Sequence, residues 1–378
     1  MKAQAASTQI TDPYRAGVTL GEQLQSLQPE IVFLFSSIHV AQSNELLQGI
    51  HDVLPGETLV VGVSGDGVFT SGGALQVGIS ALGLNSAGKV RWHLVSADRA
   101  VDDPAAALQR ALIEARTWLA GCVSPLMLLF ADLRVDAGQL EAAMAEVADA
   151  PIMGGLAGDD NLMQGCALFA NHEVVTDRLL LLVTEGELNF SLTLGQQLDV
   201  IGRPGRIEAV DGKRLLRVAG RSAQEFVEAQ YGRAVGVSDL LTLALLDRDS
   251  DHVRSLRSVL PRFPEDGSLE LYAGMNMGDR VQVCVVRPEA LLDGLREQVQ
   301  GVRQQRPVAA LLISCAGRKI ALGRKLSEEV TVLEQTFPEL PLAGFPSFGE
   351  LAPLPLAGGT YSRPLFHNMT FVLLLISP

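Results

Sequence analysis

Three basic side chains, His39, Arg134 and Arg318, sit at matching places in the chain, a few residues beyond the apolar runs Ile31–Phe35, Leu126–Phe130 and Ala309–Ile313. An imidazole and two guanidinium groups just past the C-terminal ends of buried strands are placed to receive an anionic or carboxylate-bearing ligand, which arginine grips through two parallel bonds. Asp159, Asp160 and Glu350 follow similar runs. Together with Arg134 and Arg318 they are expected to line a polar pocket suited to an amino acid or a similar zwitterion. Cys315 is a candidate nucleophile in such a position: it follows an apolar strand and precedes Gly317 and Arg318, and a nearby guanidinium lowers a thiol pKa. A Cys-dependent hydrolase also needs a base close in space, for which His367 is the candidate. No second catalytic element is recognisable, so no catalytic residue is assigned and enzyme activity is not the expected function.

The elements that must position these groups recur along the chain. The first copy reads as a strand Ile31–Phe35, a helix over Ser43–Leu54, a strand from Leu59 to Gly62, the turn-rich Val63–Gly67 and an extended stretch Ala74–Leu84. The second reads as a strand Leu126–Phe130, a helix from about Asp136 to Ala148, a strand Pro151–Gly154, the loop Gly155–Asp160 and a hairpin over Gly165–Ala170 and Arg178–Val183. The third has a strand Ala309–Ile313, a helix near Ser327–Thr336, Leu342–Gly344, the loop Phe345–Glu350 and a last strand Met369–Ile376. A weaker fourth copy is expected over Ala223–Tyr231, Leu269–Gly274 and Val281–Val286, and Arg203, Pro204, Gly205 and Arg206 read as a turn. Glycine loops at equivalent points permit close backbone approach to a ligand. Gly62, Ser64 and Gly65, then Gly155, Gly158 and Asp159, then Gly344 with Cys315 and Glu350, are therefore the expected ligand loops.

Composition narrows the classes. The chain has 378 residues, 47% apolar and 19% charged, which fits two or three domains with buried cores. Its net charge of −13 disfavours nucleic acid as a partner. Four cysteines show no CxxC spacing, so neither a structural zinc site nor a disulfide framework is expected. No apolar run approaches the roughly 18 residues of a membrane helix, and the first residues do not read as a secretory signal. A cytoplasmic protein without a membrane partner is expected.

The motifs together resemble the FIST sensory domain. Ser314, Cys315, Ala316, Gly317 and Arg318, then Gly344 to Glu350, then Leu365, Phe366, His367 and Asn368 before a final apolar strand, look like its C-terminal half. Val61–Gly67 and Gly154–Asp160 look like the motifs of its N-terminal half, although Asp66 and Gly67 stand where glycine and glutamate are usual, and Pro346 and Phe348 depart from the common residues. The resemblance implies an α/β fold with mixed sheets, built from repeated strand, helix, strand and hairpin units in two related halves. The expected organisation is an N-terminal segment 1–28, a FIST N-terminal domain 29–190 and a FIST C-terminal domain 200–378.

It also implies a signal-input module for a small molecule. Bacterial stand-alone members include haem-binding nitric oxide sensors that act on a separate histidine kinase or a diguanylate cyclase or phosphodiesterase. On that pattern the cofactor would be a non-covalent haem b, with His39 as the ligand to iron and His367 as the alternative. Phe345 and Phe348 would form a wall of its pocket. Sensing of an amino acid or another small metabolite without haem is the other sensor reading.

Overall fold

Short apolar runs bounded by turns become central strands when both of their faces are covered, and three such runs seed three sheets here. The computed structural model describes residues 1–41, 43–147, 150–356 and 358–378. The first unit runs β1 (Lys2–Thr8), α1 (Pro13–Leu24), β2 (Ile31–Ser37), α2 (Asn44–His51), β3 (Leu59–Gly65), the hairpin β4 (Val68–Thr70) and β5 (Gly73–Leu75), and β6 (Ile79–Asn85). The second repeats the order with β7 (Val90–Asp98), α3 (Pro104–Leu119), β8 (Met127–Ala131), α4 (Ala137–Val147), β9 (Ile152–Leu156), the hairpin β10 (Leu168–Ala170) and β11 (Glu173–Val175), and β12 (Arg178–Gly186). Ala148, the expected end of α4, lies outside the described residues.

The third unit opens with β13 (Asn189–Gly195) and is then interrupted. The insertion comprises β14 (Asp199–Asp211), β15 (Arg214–Val218), β16 (Arg221–Ser222), α5 (Ala223–Tyr231), β17 (Thr242–Leu246), β18 (Val253–Ser258), β19 (Leu269–Glu270) and β20 (Arg280–Val285). The unit resumes with α6 (Pro288–Gly301), β21 (Ala309–Cys315), α7 (Ala316–Leu322), α8 (Glu328–Thr336), β22 (Leu342–Ser347), the hairpin β23 (Glu350–Pro355) and β24 (Tyr361–His367), and β25 (Phe371–Ser377).

Each unit builds the same core of a sheet. One parallel pair forms in each, β2 with β3, β8 with β9 and β21 with β22, and each is flanked by antiparallel strands of its own unit. The hairpins do not stay at home. The first unit's β4 pairs with β22 of the third, the third unit's β23 pairs with β9 of the second, and the second unit's β10 pairs with β3 of the first. This cyclic exchange makes three six-stranded mixed sheets, none of which belongs to a single stretch of chain. The fold is α/β, with the repeated units distributed over two related halves.

Strand alternation assigns the faces. Ile31, Phe33, Phe35, Leu128, Phe130, Leu311 and Ile313 point into one shared core between the sheets, while Val32 and Leu34 pack outward with α1 and α2. Phe35 stacks on Phe345 with centroids 5.0 Å apart, and Phe130 lies 6.1 Å from Phe35. Each buried ring stabilises the assembly by about 1.5–3 kcal/mol.

The expected organisation changes at several points. The region read as a fourth copy is an antiparallel sheet of its own, with no parallel pair and with α5 and a separate core that includes Phe226, Leu243 and Val281. Arg203–Arg206 is not a turn between elements. It lies inside the long β14, where the register with β20 breaks between Ile201 and Gly205 as the strand passes from β20 to β15. Pro204, which has no N–H to donate, sits in that break. The N-terminal residues are also part of the first unit, since β1 pairs along its length with β6. Among the described residues no helix is long and apolar enough to cross a membrane.

Candidate functional site

The three parallel pairs are held together at one glycine each. Gly62 faces Leu34, Gly154 faces Leu129 and Gly344 faces Leu312. A Cβ on these glycines would lie 1.7, 1.8 and 1.9 Å from the partner's carbonyl oxygen, so only glycine lets the strands come this close. Past these glycines the three loops meet and close a ring of main-chain bonds. Asp66 N–H donates to Pro346 O (3.1 Å), Phe348 N–H to Leu156 O (3.3 Å) and Gly158 N–H to Ser64 O (2.8 Å). In every case the donor lies four residues after its strand glycine and the acceptor two.

The ring uses up several residues expected to face a ligand. Ser64 Oγ donates to Gly158 O at 2.7 Å and accepts from Ala167 N–H at 3.0 Å. A Cβ on Gly65 would meet Phe345 at 2.7 Å, one on Gly155 would meet Gly349 O at 3.1 Å, and one on Gly158 would meet Asp66 N at 3.0 Å. These glycines pack the loops against one another. Phe345 is fully buried among the core rings.

On one side of the ring stands a polar cluster. Asp66 is 1% exposed and accepts from Asp160 N–H and from Asn161 Nδ2, both at 2.6 Å. Burial pushes its carboxyl up to about 6, against the pull of the Lys319 ammonium. Asp160 receives Lys319 Nζ at 3.3 Å and lies 3.3 Å from His39 Nε2. Burial raises its carboxyl, but Lys319 and His39 together hold it below the usual range. Asp159 clamps its own loop, accepting from the N–H groups of Met163, Gln164 and Gly165.

On another side lies a cavity of about 260 Å³ between the insertion and the three-unit core. Its floor combines Leu241, Thr242 and Val259 of the insertion with Cys315, Ala316, Ser347, Phe348, Asn368 and Met369 of the core, all buried. Tyr272 lines it too, its ring 6.5 Å from Phe348, and Asn161, Val237, Pro261 and Ile320 stand at its exposed mouth. Behind the floor, Glu350 accepts from Ser347 Oγ at 2.5 Å and from Thr370 Oγ1 at 2.8 Å, and burial pushes its carboxyl up to about 7. Burial and the neighbouring Glu350 raise the Cys315 thiol far above its ordinary value, the reverse of an activated nucleophile.

Of the residues expected to form a site, the structure brings Cys315 and Phe348 to the cavity and Glu350 directly behind it. The basic trio does not share a cleft. Arg134 is bonded to Asp132 through Nε (2.9 Å) and Nη2 (2.8 Å). Arg318 is 1% exposed and sits inside α7, its Nε donating to Glu329 at 2.7 Å and its guanidinium over Phe371. Only His39, half-exposed beside Asp160, remains near the loops. The zwitterion pocket expected from Arg134, Arg318, Asp159, Asp160 and Glu350 is therefore not formed, because each group is bonded to another partner within the protein. His367 is fully buried with Nε2 3.1 Å from Ala352 O, its pKa pushed down to about 3 by burial and by the Arg257 charge, so it is a neutral imidazole donating to that carbonyl. It is not paired with Cys315. Among the described residues no group of three or more His, Cys, Asp or Glu side chains is placed to hold a metal ion.

Sequence reasoning missed the insertion's half of the cavity. Leu241 and Thr242 read as an ordinary apolar strand, and nothing in their spacing marks them. Asn368 did carry a signal, as the last residue of the motif Leu365–Asn368.

Comparison with known proteins identifies the family. A FIST N domain model matches residues 30–221 and a FIST C domain model matches residues 213–353. Uncharacterized proteins from Mycobacterium bovis and Mycobacterium tuberculosis are each 25% identical over 235 residues, a match spanning 57% of this chain and 60% of theirs. Among solved structures, phosphoribosylformylglycinamidine synthase II from Thermotoga maritima aligns over 99% of this chain and 72% of its own, at 13% identity and a TM-score of 0.20, too low to bear on fold or function.

Proposed function

The chain belongs to the FIST family, whose domains sense small ligands in signal transduction, and on that premise we propose that its ligand binds in the cavity between the insertion and the three-unit core. The observation that carries this reading is the origin of the walls. Leu241, Thr242 and Val259 come from the insertion, and Cys315, Phe348 and Met369 from the three-unit core. A ligand touching both stabilises one arrangement of the two bodies over others, which is the minimum a sensor needs to pass a signal to a partner. Interfaces between bodies are also where small-molecule pockets concentrate.

A thermal-shift screen of small metabolites tests this directly. Compounds that bind the folded state raise the unfolding temperature, and the hits should lose their effect in Ala316→Leu, which fills the cavity floor. Hits that act equally on that variant would place the ligand elsewhere.

The narrower form of the reading is a haem-based nitric oxide sensor acting on a separate histidine kinase or cyclic-di-GMP enzyme. It asks for an imidazole opening onto an apolar space large enough for a tetrapyrrole. A cavity of about 150 Å³ holds benzene, so one of about 260 Å³ suits one or two rings. His39 points its Nε2 at Asp160, and His367 points its own at Ala352 O. Neither lines this cavity, so neither is placed to ligate a haem there. A Soret titration checks the point: no saturable band is expected, and one lost in His39→Ala would restore the haem reading.

A further inference from the structure

Resting on the reading that the interface cavity is the ligand site, we infer that its ligand is a neutral molecule about the size of a single substituted aromatic ring, with a hydrogen-bond acceptor that meets Asn368. Size comes first. The volume of about 260 Å³ exceeds the roughly 150 Å³ that benzene fills and leaves room for a ring with a short substituent.

Charge comes second. Asp239 is the one ionisable acid or base among the lining residues apart from Tyr272 and Cys315. Its carboxylate is at the mouth and already bonded to the Arg233 guanidinium (2.6 and 3.1 Å) and to Gly236 N–H (2.9 Å). Tyr272 and Cys315 are held neutral by burial. No opposite charge lines the floor for a buried carboxylate or ammonium, and an unpaired buried charge is strongly unfavourable.

The polar hook comes third. Asn368 is 1% exposed, and its Oδ1 accepts from Ser258 N–H at 3.0 Å, which fixes which end of the amide is which. Its NH₂ is the end of the amide that Ser258 does not engage, on a residue that lines the cavity. Thr242, also 1% exposed and lining the cavity, has a buried hydroxyl with no partner. Buried polar groups ordinarily have partners, and a ligand carrying an acceptor supplies one to the Asn368 NH₂.

The test uses the whole protein with ¹³C-methyl methionine labels. Met369 lines the cavity and reports its occupancy, and Met277, 72% exposed, serves as the control. The probes are benzamide, toluene, benzoate and benzylamine. Benzamide and toluene are expected to shift the Met369 signal and not that of Met277, with benzoate and benzylamine needing at least about tenfold higher concentration. In Asn368→Ala, benzamide should weaken by about tenfold while toluene keeps its affinity. If that variant does not fold, the comparison among the four probes on the natural protein decides alone. Charged probes shifting Met369 as readily as neutral ones would overturn the ligand class and leave the site standing. No shift of Met369 by any of the four would overturn both.

Discussion

Asn161 donates its side-chain amide to Asp66 at 2.6 Å, tying the loop of the second unit to the loop of the first. Asp160, Asn161 and Met163 all hold left-handed backbone conformations, with φ of 60°, 61° and 54°, and each such residue costs about 1–3 kcal/mol unless its surroundings compensate. The bond to Asp66 is part of that compensation. In Asn161→Ala, the amides of Met163, Gln164 and Gly165 that Asp159 holds should exchange with deuterium at least about tenfold faster. Unchanged protection there would mean the loop is held by Asp159 alone.

Glu350 makes stability depend on pH. Its carboxyl moves from an ordinary 4.5 to about 7 on folding, chiefly through burial, so the folded protein binds the proton more tightly than the unfolded chain. The stabilisation is fully present below 4.5 and is lost as pH rises through the window up to about 7. Asp66 adds to it with the same sign between 3.8 and about 6. Between pH 5 and 7.5 the natural protein should lose about 2 kcal/mol more in denaturant unfolding than Glu350→Gln does. Parallel pH profiles for the two would contradict the assignment.

Arg257 joins the insertion to the core. It is buried, donates to Phe366 O and to Glu141 at 2.5 Å each, and lies over the Phe366 ring. Arg257→Ala leaves Glu141 partly buried and without its charge partner, and should destabilise by about 3–5 kcal/mol. The double variant Arg257→Met with Glu141→Leu should recover much of that loss, because both charges then disappear together. A double variant no better than the single one would show that the bonds to the backbone, not the ion pair, matter most.

The strand glycines should respond alike. Gly62→Ala, Gly154→Ala and Gly344→Ala each drive a methyl into a main-chain oxygen less than 2 Å away, and each should cost at least about 3 kcal/mol or prevent folding. Gly56→Ala, where a Cβ meets nothing within 4 Å, should stay within about 0.5 kcal/mol of the natural protein. Circular dichroism melts of the four variants are sufficient to check this.

These relationships differ in how far the amino-acid sequence revealed them. The repeat around Gly62, Gly154 and Gly344 was legible, because a close strand approach demands the same residue each time. So were the bounds of α5, Ala223 to Tyr231. The exchange of hairpins was not, since β4 and β5 carry the same local pattern whichever sheet receives them. Arg318 looked like a loop charge because Glu329, the partner that lets it sit buried, lies eleven residues further on in another helix. The cavity was hidden for a similar reason: half of its wall belongs to an insertion whose strands are apolar for the sake of their own core.

The most direct measurement is hydrogen exchange, with and without the compound that most raises the unfolding temperature, across peptides from both walls of the cavity. Ligand-linked protection is expected in residues 237–243 of the insertion and, in the same experiment, in residues 366–372 of the core. Protection confined to one of these segments, or found instead around His39 and Asp160, would contradict a ligand that bridges the two bodies.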